Sequence, residues 1–298
     1  MDYDSLRRAG GWLPTETKVV AISRPGHDMG QATFVSGESR DCIDLLGALQ
    51  VDVVDEQLLV KEVVQCASSG TGWVTTYAHA HTLLRAWQDE HFARSLKSAD
   101  LCYADGMGVV LASGALGCWG LRKTTANRFF PDLCRRATAN GLSLALLGGR
   151  AGVAAQTAGR IKKWSSGDAR VWASHGYLSG LEESNVIRQL VEFSPNIVFV
   201  GLGQPRQEEL ALELRSRLPS ATIMCVGALF EVMSGVRRVC PARLQRWGME
   251  WMFRLVHEPR RLWRRYLLGL PTLLAIVLWN RASGHRARRG RRAYRHSD

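Results

Sequence analysis

The stretch Leu142-Ser-Leu-Ala-Leu-Leu-Gly-Gly-Arg-Ala-Gly-Val153 decides the fold class. A short apolar run ends in Gly148-Gly149, and after Gly152 a helical pattern continues to about residue 164. Strand, glycine turn and helix in that order form half of a parallel crossover unit. The same texture recurs on both sides. Short apolar or β-branched runs stand at 72–78, 101–104, 170–174, 196–201 and 221–226, each flanked by Gly, Asn, Asp or Ser. Helical patterns fill the gaps. Ala80, Leu83, Leu84 and Trp87 repeat at i, i+3, i+4, i+7 and predict one core-facing helical stripe, while 183–193 and 206–217 read as two more helices. Strand–helix alternation at this spacing predicts an α/β fold with a mostly parallel sheet and helices on both faces. Such sheets bind ligands at the carboxyl ends of their strands, so the loops after the strands are where chemistry is sought.

Outside this core the texture changes. Residues 1–40 are rich in Gly and Ser and read as an extension of low order ahead of a core spanning 41–241. Residues 242–280 mix Trp247, Trp251, Phe253 and Trp263 with arginines, a combination selected by lipid interfaces. Residues 281–298 read as a basic disordered tail. Of the net charge of +12, +10 falls between Trp251 and Asp298, which points to an anionic partner: nucleic acid, anionic lipid or a phosphorylated substrate. No helix-turn-helix, zinc-finger or RNA-binding signature accompanies the arginines, so nucleic acid is not the expected partner. The seven cysteines include no C-x-x-C pair and read as small buried hydrophobes. No secretory signal is visible, and the longest apolar run, Tyr266–Trp279, falls short of the roughly 20 residues a spanning helix needs.

Five places could hold chemistry. Gly148 and Gly149 could bring backbone N–H groups to a phosphate at a helix N-terminus, or simply make a tight turn. In Val200-Gly-Leu-Gly-Gln-Pro-Arg-Gln-Glu208, Gln207 and Glu208 project from a first helical turn toward the ligand edge, either to read hydroxyls or to cap the helix. In Tyr103-Ala-Asp-Gly-Met-Gly108, Asp105 stands just past a strand, placed to take a proton from a substrate hydroxyl or merely to make an Asp-Gly turn. His79 and His81 lack Cys, Asp or Glu at ligand spacing, so a satisfied or substrate-contacting histidine outweighs a metal site. The pairs Arg260-Arg261 and Arg264-Arg265 share a helix face and could grip phosphate, the alternative being a solvated basic face.

These pieces, in this order, resemble one family. YADGMGVVLA, LALLGGRAGVA, His175-Gly-Tyr177, VGLGQPRQE, GALFEVMSG and above all Gly248 to Tyr266 (GMEWMFRLVHEPRRLWRRY) are similar to the WecG/TagA/CpsF bacterial glycosyltransferases, over roughly 41–268. The resemblance implies a Rossmann-like sheet with a C-terminal helical appendage that docks on the membrane. It implies inverting transfer, without metal or other cofactor, from a UDP-sugar, often UDP-N-acetylmannosamine or its uronate. The implied acceptor is a polyprenyl-diphosphate-linked sugar used in cell-surface polysaccharide synthesis, reached from the cytoplasm at the anionic inner face of the membrane. It makes Asp105 the base, matches Gln204, Gln207 and Glu208 to the P-x-Q-E region, and sets Arg260, Arg261 and Arg264 against the diphosphate. Departures fall in the implied pocket. Tyr77 and His79 occupy the T-x-N positions, Thr125 and Asn127 the G-x-D positions, Glu231 the acidic position after Phe230, and Val239-Cys240-Pro241 the R-A-P triplet. A family member that binds a nucleotide-sugar without turning it over is the alternative these departures leave open.

Overall fold

A computed structural model describes residues 39–165, 169–241, 244 and 250–293, apart from the side chains of Glu250 and Arg261. Nearly all of the expected N-terminal extension lies outside these residues.

Six strands form the central sheet: β3 (Trp73–Ala78), β4 (Leu101–Ala104), β5 (Leu144–Gly148), β6 (Val171–Ser174), β7 (Ile197–Gly201) and β8 (Thr222–Cys225). They lie in the order β4-β3-β8-β7-β5-β6, and every pairing is parallel. All six runs expected from sequence are strands. Their side chains divide between two cores with the period of two that a strand dictates. Leu144, Leu146, Ile197, Phe199 and Met224 pack on one face with Phe129, Phe130, Leu133 and Ile161. Ala145, Leu147, Val198, Val200 and Ile223 pack on the other with Ile187, Leu190, Leu210 and Leu214. Both faces are therefore covered, which explains why the strands read as continuous apolar runs.

The helices are α1 (Glu56–Ser69), α2 (Ala80–Gln88), α3 (Glu90–Lys97), α4 (Met107–Ala115), α5 (Ala126–Ala139), α6 (Val153–Trp164), α7 (Leu181–Phe193), α8 (Arg206–Arg217) and α9 (Leu229–Met233). Then come α10 (Glu250–His257), α11 (Pro259–Trp263), a π-helical turn (Arg264–Leu268) and α12 (Gly269–Ala282). The stripe expected on α2 is corrected at its end. Leu83 and Leu84 are buried, but Trp87 is 47% exposed. Helix α2 ends at Gln88 as Asp89 caps α3 through Phe92 N–H, so the chain turns away before Trp87 meets the core.

A second, three-stranded antiparallel sheet contains β1 (Arg40–Leu45), β2 (Leu49–Asp52) and β9 (Arg288–Arg292), with β1 in the centre. Strand β9 corrects the expectation of a disordered tail through its length. Its anchor is Arg292, whose guanidinium meets Asp52 Oδ2 at 3.1 Å and also donates to Gln50 Oε1 at 3.2 Å. Asp52 is buried, 1% exposed, and accepts from Cys102 N–H at 2.7 Å. A buried carboxylate requires such partners. Helix α12 is likewise tied to the core, through buried Leu273, Ile276 and Val277.

Candidate active site

A cavity of about 650 Å³ opens at the carboxyl ends of the adjacent strands β4, β3 and β8. Tyr77 and His79 reach it from the end of β3, Asp105 from the end of β4, and Gly227 from the end of β8. Gly227 has φ +56°, and a Cβ there would collide with Tyr77 Oη, so only glycine lets β8 turn this close to the tyrosine. Thr125 and Asn127 come from the start of α5, and Gln204 from the loop after β7. The remaining wall combines apolar side chains, among them Leu84, Val232, Leu262 and Leu268, with five arginines. Arg85 comes from α2, Arg237 from the loop after α9, Arg254 from α10, and Arg264 and Arg265 from the π-helical turn.

Among the described residues, Arg85, Arg254, Arg264 and Arg265 have no carboxylate within ion-pairing distance. Arg237 instead bridges Glu231 at 2.9 Å and Glu258 at 2.8 Å. Burial lowers the pKa of Arg265 from its ordinary value, opposed by Tyr266, Tyr77 and Asp105. Cationic groups that are costly to desolvate and lack protein anions make a site prepared for an anionic ligand. The polar atoms agree. His81 Nδ1, Thr125 Oγ1 and Asn127 Oδ1 are buried with no hydrogen-bond partner among the described residues. Groups in that state call for a ligand or water to satisfy them. Burial, with Arg265 and Arg85 beside it, lowers the His81 pKa to about 4. His79 also stays neutral, its pKa pushed well below the ordinary value by burial first and then by Arg265, His81 and Arg254.

Several expected site residues stand elsewhere. Gln207 and Glu208 are 0% and 2% exposed and do not line the cavity. Gln207 Oε1 accepts from Gly203 N–H at 3.2 Å and Gly227 N–H at 3.0 Å, and its amide donates to Glu208 Oε1 at 2.8 Å. Glu208 Oε1 also accepts from Thr76 Oγ1 at 2.8 Å and Gln204 Nε2 at 3.2 Å. Burial raises the Glu208 pKa, opposed by its bonds to Gln207, Thr76 and Gln204. These two residues bind together the ends of β3, β7 and β8 beneath the cavity floor, rather than projecting into it. The Gly148-Gly149 turn also lies outside this cavity. Gly149 N–H donates to Gly201 C=O at 3.2 Å, and a Cβ on Gly148 would strike Gly201. Glu231 is held by Arg237, and Arg260 points to solvent away from the cavity. Helix α11 includes Arg261, whose side chain lies outside the described residues. Asp105, Tyr77, His79, Asn127, Gln204 and Arg264 do converge. Sequence reasoning left Arg85, Arg237 and Arg254 off its binding set, and named Thr125 only as a departure in the implied pocket. Arg265 was legible only as the partner of Arg261 at i, i+4 spacing.

The family model for the glycosyl transferase WecG/TagA/CpsF family matches residues 43–287. Among characterised relatives, the N-acetylglucosaminyldiphosphoundecaprenol N-acetyl-beta-D-mannosaminyltransferase of Bacillus spizizenii is 29% identical over 233 residues, covering 77% of this chain and 89% of that protein.

Proposed function

We propose, from the premise that the chain belongs to the WecG/TagA/CpsF family of glycosyl transferases, that it moves a sugar from a UDP-sugar to a hydroxyl of a polyprenyl-diphosphate-linked sugar. The observation that supports this reading is one carboxylate, Asp105, sharing a cavity with Arg85, Arg254, Arg264 and Arg265. The acceptor hydroxyl attacks the anomeric carbon on the face opposite the diphosphate. The new C–O bond forms as the bond to the UDP oxygen breaks, so configuration inverts. Asp105 takes the hydroxyl proton, and UDP leaves with the bonding electron pair. The arginines neutralise that departing charge, a role for which this reading needs no metal. The donor sugar of the Bacillus protein, N-acetylmannosamine, is the first candidate here.

The acceptor's lipid brings the enzyme to a membrane. Among the described residues no helix is long and apolar enough to cross one. Leu267, Leu268, Leu274, Leu278 and Trp279 are exposed on the π-helical turn and on α12, which continues from Arg264 and Arg265. We place that face on an anionic membrane surface, at the cytoplasmic leaflet, with the apolar side chains entering it and arginines meeting headgroups. The deciding experiment is UDP release from a panel of UDP-sugars, with and without a short polyprenyl-diphosphate-N-acetylglucosamine. Acceptor-dependent release from one donor establishes the reaction. No release from any donor, with UDP still bound, shows binding without turnover on these substrates.

A further inference from the structure

The structure assigns His79 a task distinct from that of Asp105: we infer that its Nε2–H is a fixed, uncharged hydrogen-bond donor to a diphosphate oxygen in the cavity. This rests on the transferase reading given above. His79 is the N-cap of α2, and its Nδ1 accepts from Thr82 N–H at 2.9 Å. A backbone N–H can only donate, so Nδ1 carries no proton, and a neutral ring must carry its hydrogen on Nε2. The surrounding bonds hold the ring in place. His79 N–H donates to Thr82 Oγ1 at 3.2 Å, and Thr82 Oγ1, 2.6 Å from Nδ1, donates to Gln204 Oε1 at 2.7 Å. Gln204 is oriented in turn, because its Nε2 donates to Tyr77 C=O at 2.9 Å.

Among the described residues Nε2 has no hydrogen-bond partner, yet it is not among the fully buried unpaired atoms, and the ring lines the cavity. The donor therefore opens on the ligand space. Arg265, His81, Arg254 and Tyr77, whose ring centroid lies 5.7 Å away, are its charged or titratable neighbours, and the two arginines oppose a positive charge on the ring. An N–H directed into a cationic cavity suits an anionic oxygen. A neutral ring with Nδ1 occupied cannot act as a general base, so His79 is not an alternative to Asp105.

Two variants separate this task from helix capping. His79→Ser keeps a good N-cap but loses the reach of Nε2. His79→Gln keeps an amide N–H at about that reach but gives up the cap. Acceptor-dependent UDP release should fall about 10²-fold in His79→Ser, the usual cost of one lost donor to a developing anion. His79→Gln should recover most of it despite a lower melting temperature. A purely structural role gives the reverse order, and Ser at least as active as Gln overturns the inference. Calorimetric UDP affinity identifies the oxygen. A loss in Ser but not Gln puts it on the donor, whereas unchanged UDP affinity with a raised KM for the lipid acceptor puts it on the acceptor. Neither change in a Ser variant that folds overturns the proposal. If wild type turns over no donor, the transferase reading fails on its own, and ¹⁵N spectra of the histidines still test the tautomer in the full chain. A neutral Nε2–H ring between pH 6 and 8 is expected, and an Nδ1–H or charged ring overturns it.

Discussion

Replacing Arg292 by Ala tests whether the last strand is held by a buried ion pair. The guanidinium lies 3.1 Å from Asp52 Oδ2 and donates to Gln50 Oε1, while Asp52 is 1% exposed. Removing one partner of a buried pair costs about 3–5 kcal/mol, because the other charge stays desolvated. Arg40 remains 3.8 Å from Asp52 Oδ1, and Cys102 N–H still donates to Oδ2, so the lower end, about 3 kcal/mol, is expected. For a chain of this size that lowers Tm by about 6–12 °C. The pH dependence follows from Asp52. Burial raises its folded pKa above the unfolded value, and Arg292 and Arg40 oppose that rise. A carboxyl with a raised folded pKa favours the folded state at low pH, and that advantage is lost as pH climbs through the folded pKa. Without Arg292 the folded pKa rises further, so the deficit against wild type should be larger at pH 8 than at pH 5. Thermal unfolding followed by circular dichroism at both pH values measures this. The double variant Asp52→Asn/Arg292→Ala should regain part of the loss at pH 8. An Arg292→Ala protein within about 0.5 kcal/mol of wild type at pH 8, the range of an ordinary surface substitution, refutes the buried-pair account.

Three further outcomes are expected. Asp105→Asn should bind UDP with unchanged affinity while turnover falls about 10²-fold or more, the range for a lost general base; a near-wild-type rate moves the base elsewhere. Gln207→Ala strands the N–H groups of Gly203 and Gly227 and removes a donor to Glu208, so unfolding free energy should drop by about 2–4 kcal/mol in a denaturant titration. If only substrate affinity changes and stability does not, Gln207 belongs to the binding surface after all. Leu274→Asp/Leu278→Asp should fold normally, since both residues are exposed, but should float less with anionic liposomes; unchanged flotation sinks the docking face assigned to α12. These point changes are preferable to deleting residues 242–298, which would also remove β9 and the buried face of α12.

Sequence alone determined the six central strands, their parallel pairing and the loop that carries Asp105. Each strand is a short apolar run with turn residues at its ends. A sheet covered on both faces makes that pattern local and strong, so the elements were legible without their neighbours. Position after β4 was enough to single out Asp105, because the end of a parallel strand is a fixed place in the fold. Tertiary structure decided what each polar side chain faces. Gln207 and Glu208 look like ligand contacts in a first helical turn, but three strand ends crowd over them and take up their hydrogen bonds. Arg254, Arg264 and Arg265 look no different in sequence from Arg260. The helix directions through α10, α11 and the π-helical turn set the first three along the cavity and leave Arg260 off it. Strand β9, Arg-Arg-Gly-Arg-Arg, has no apolar face to announce it. It becomes a strand because the free edge of β1 supplies backbone partners and the buried Asp52 carboxylate requires a cation, two conditions set more than two hundred residues away in the chain.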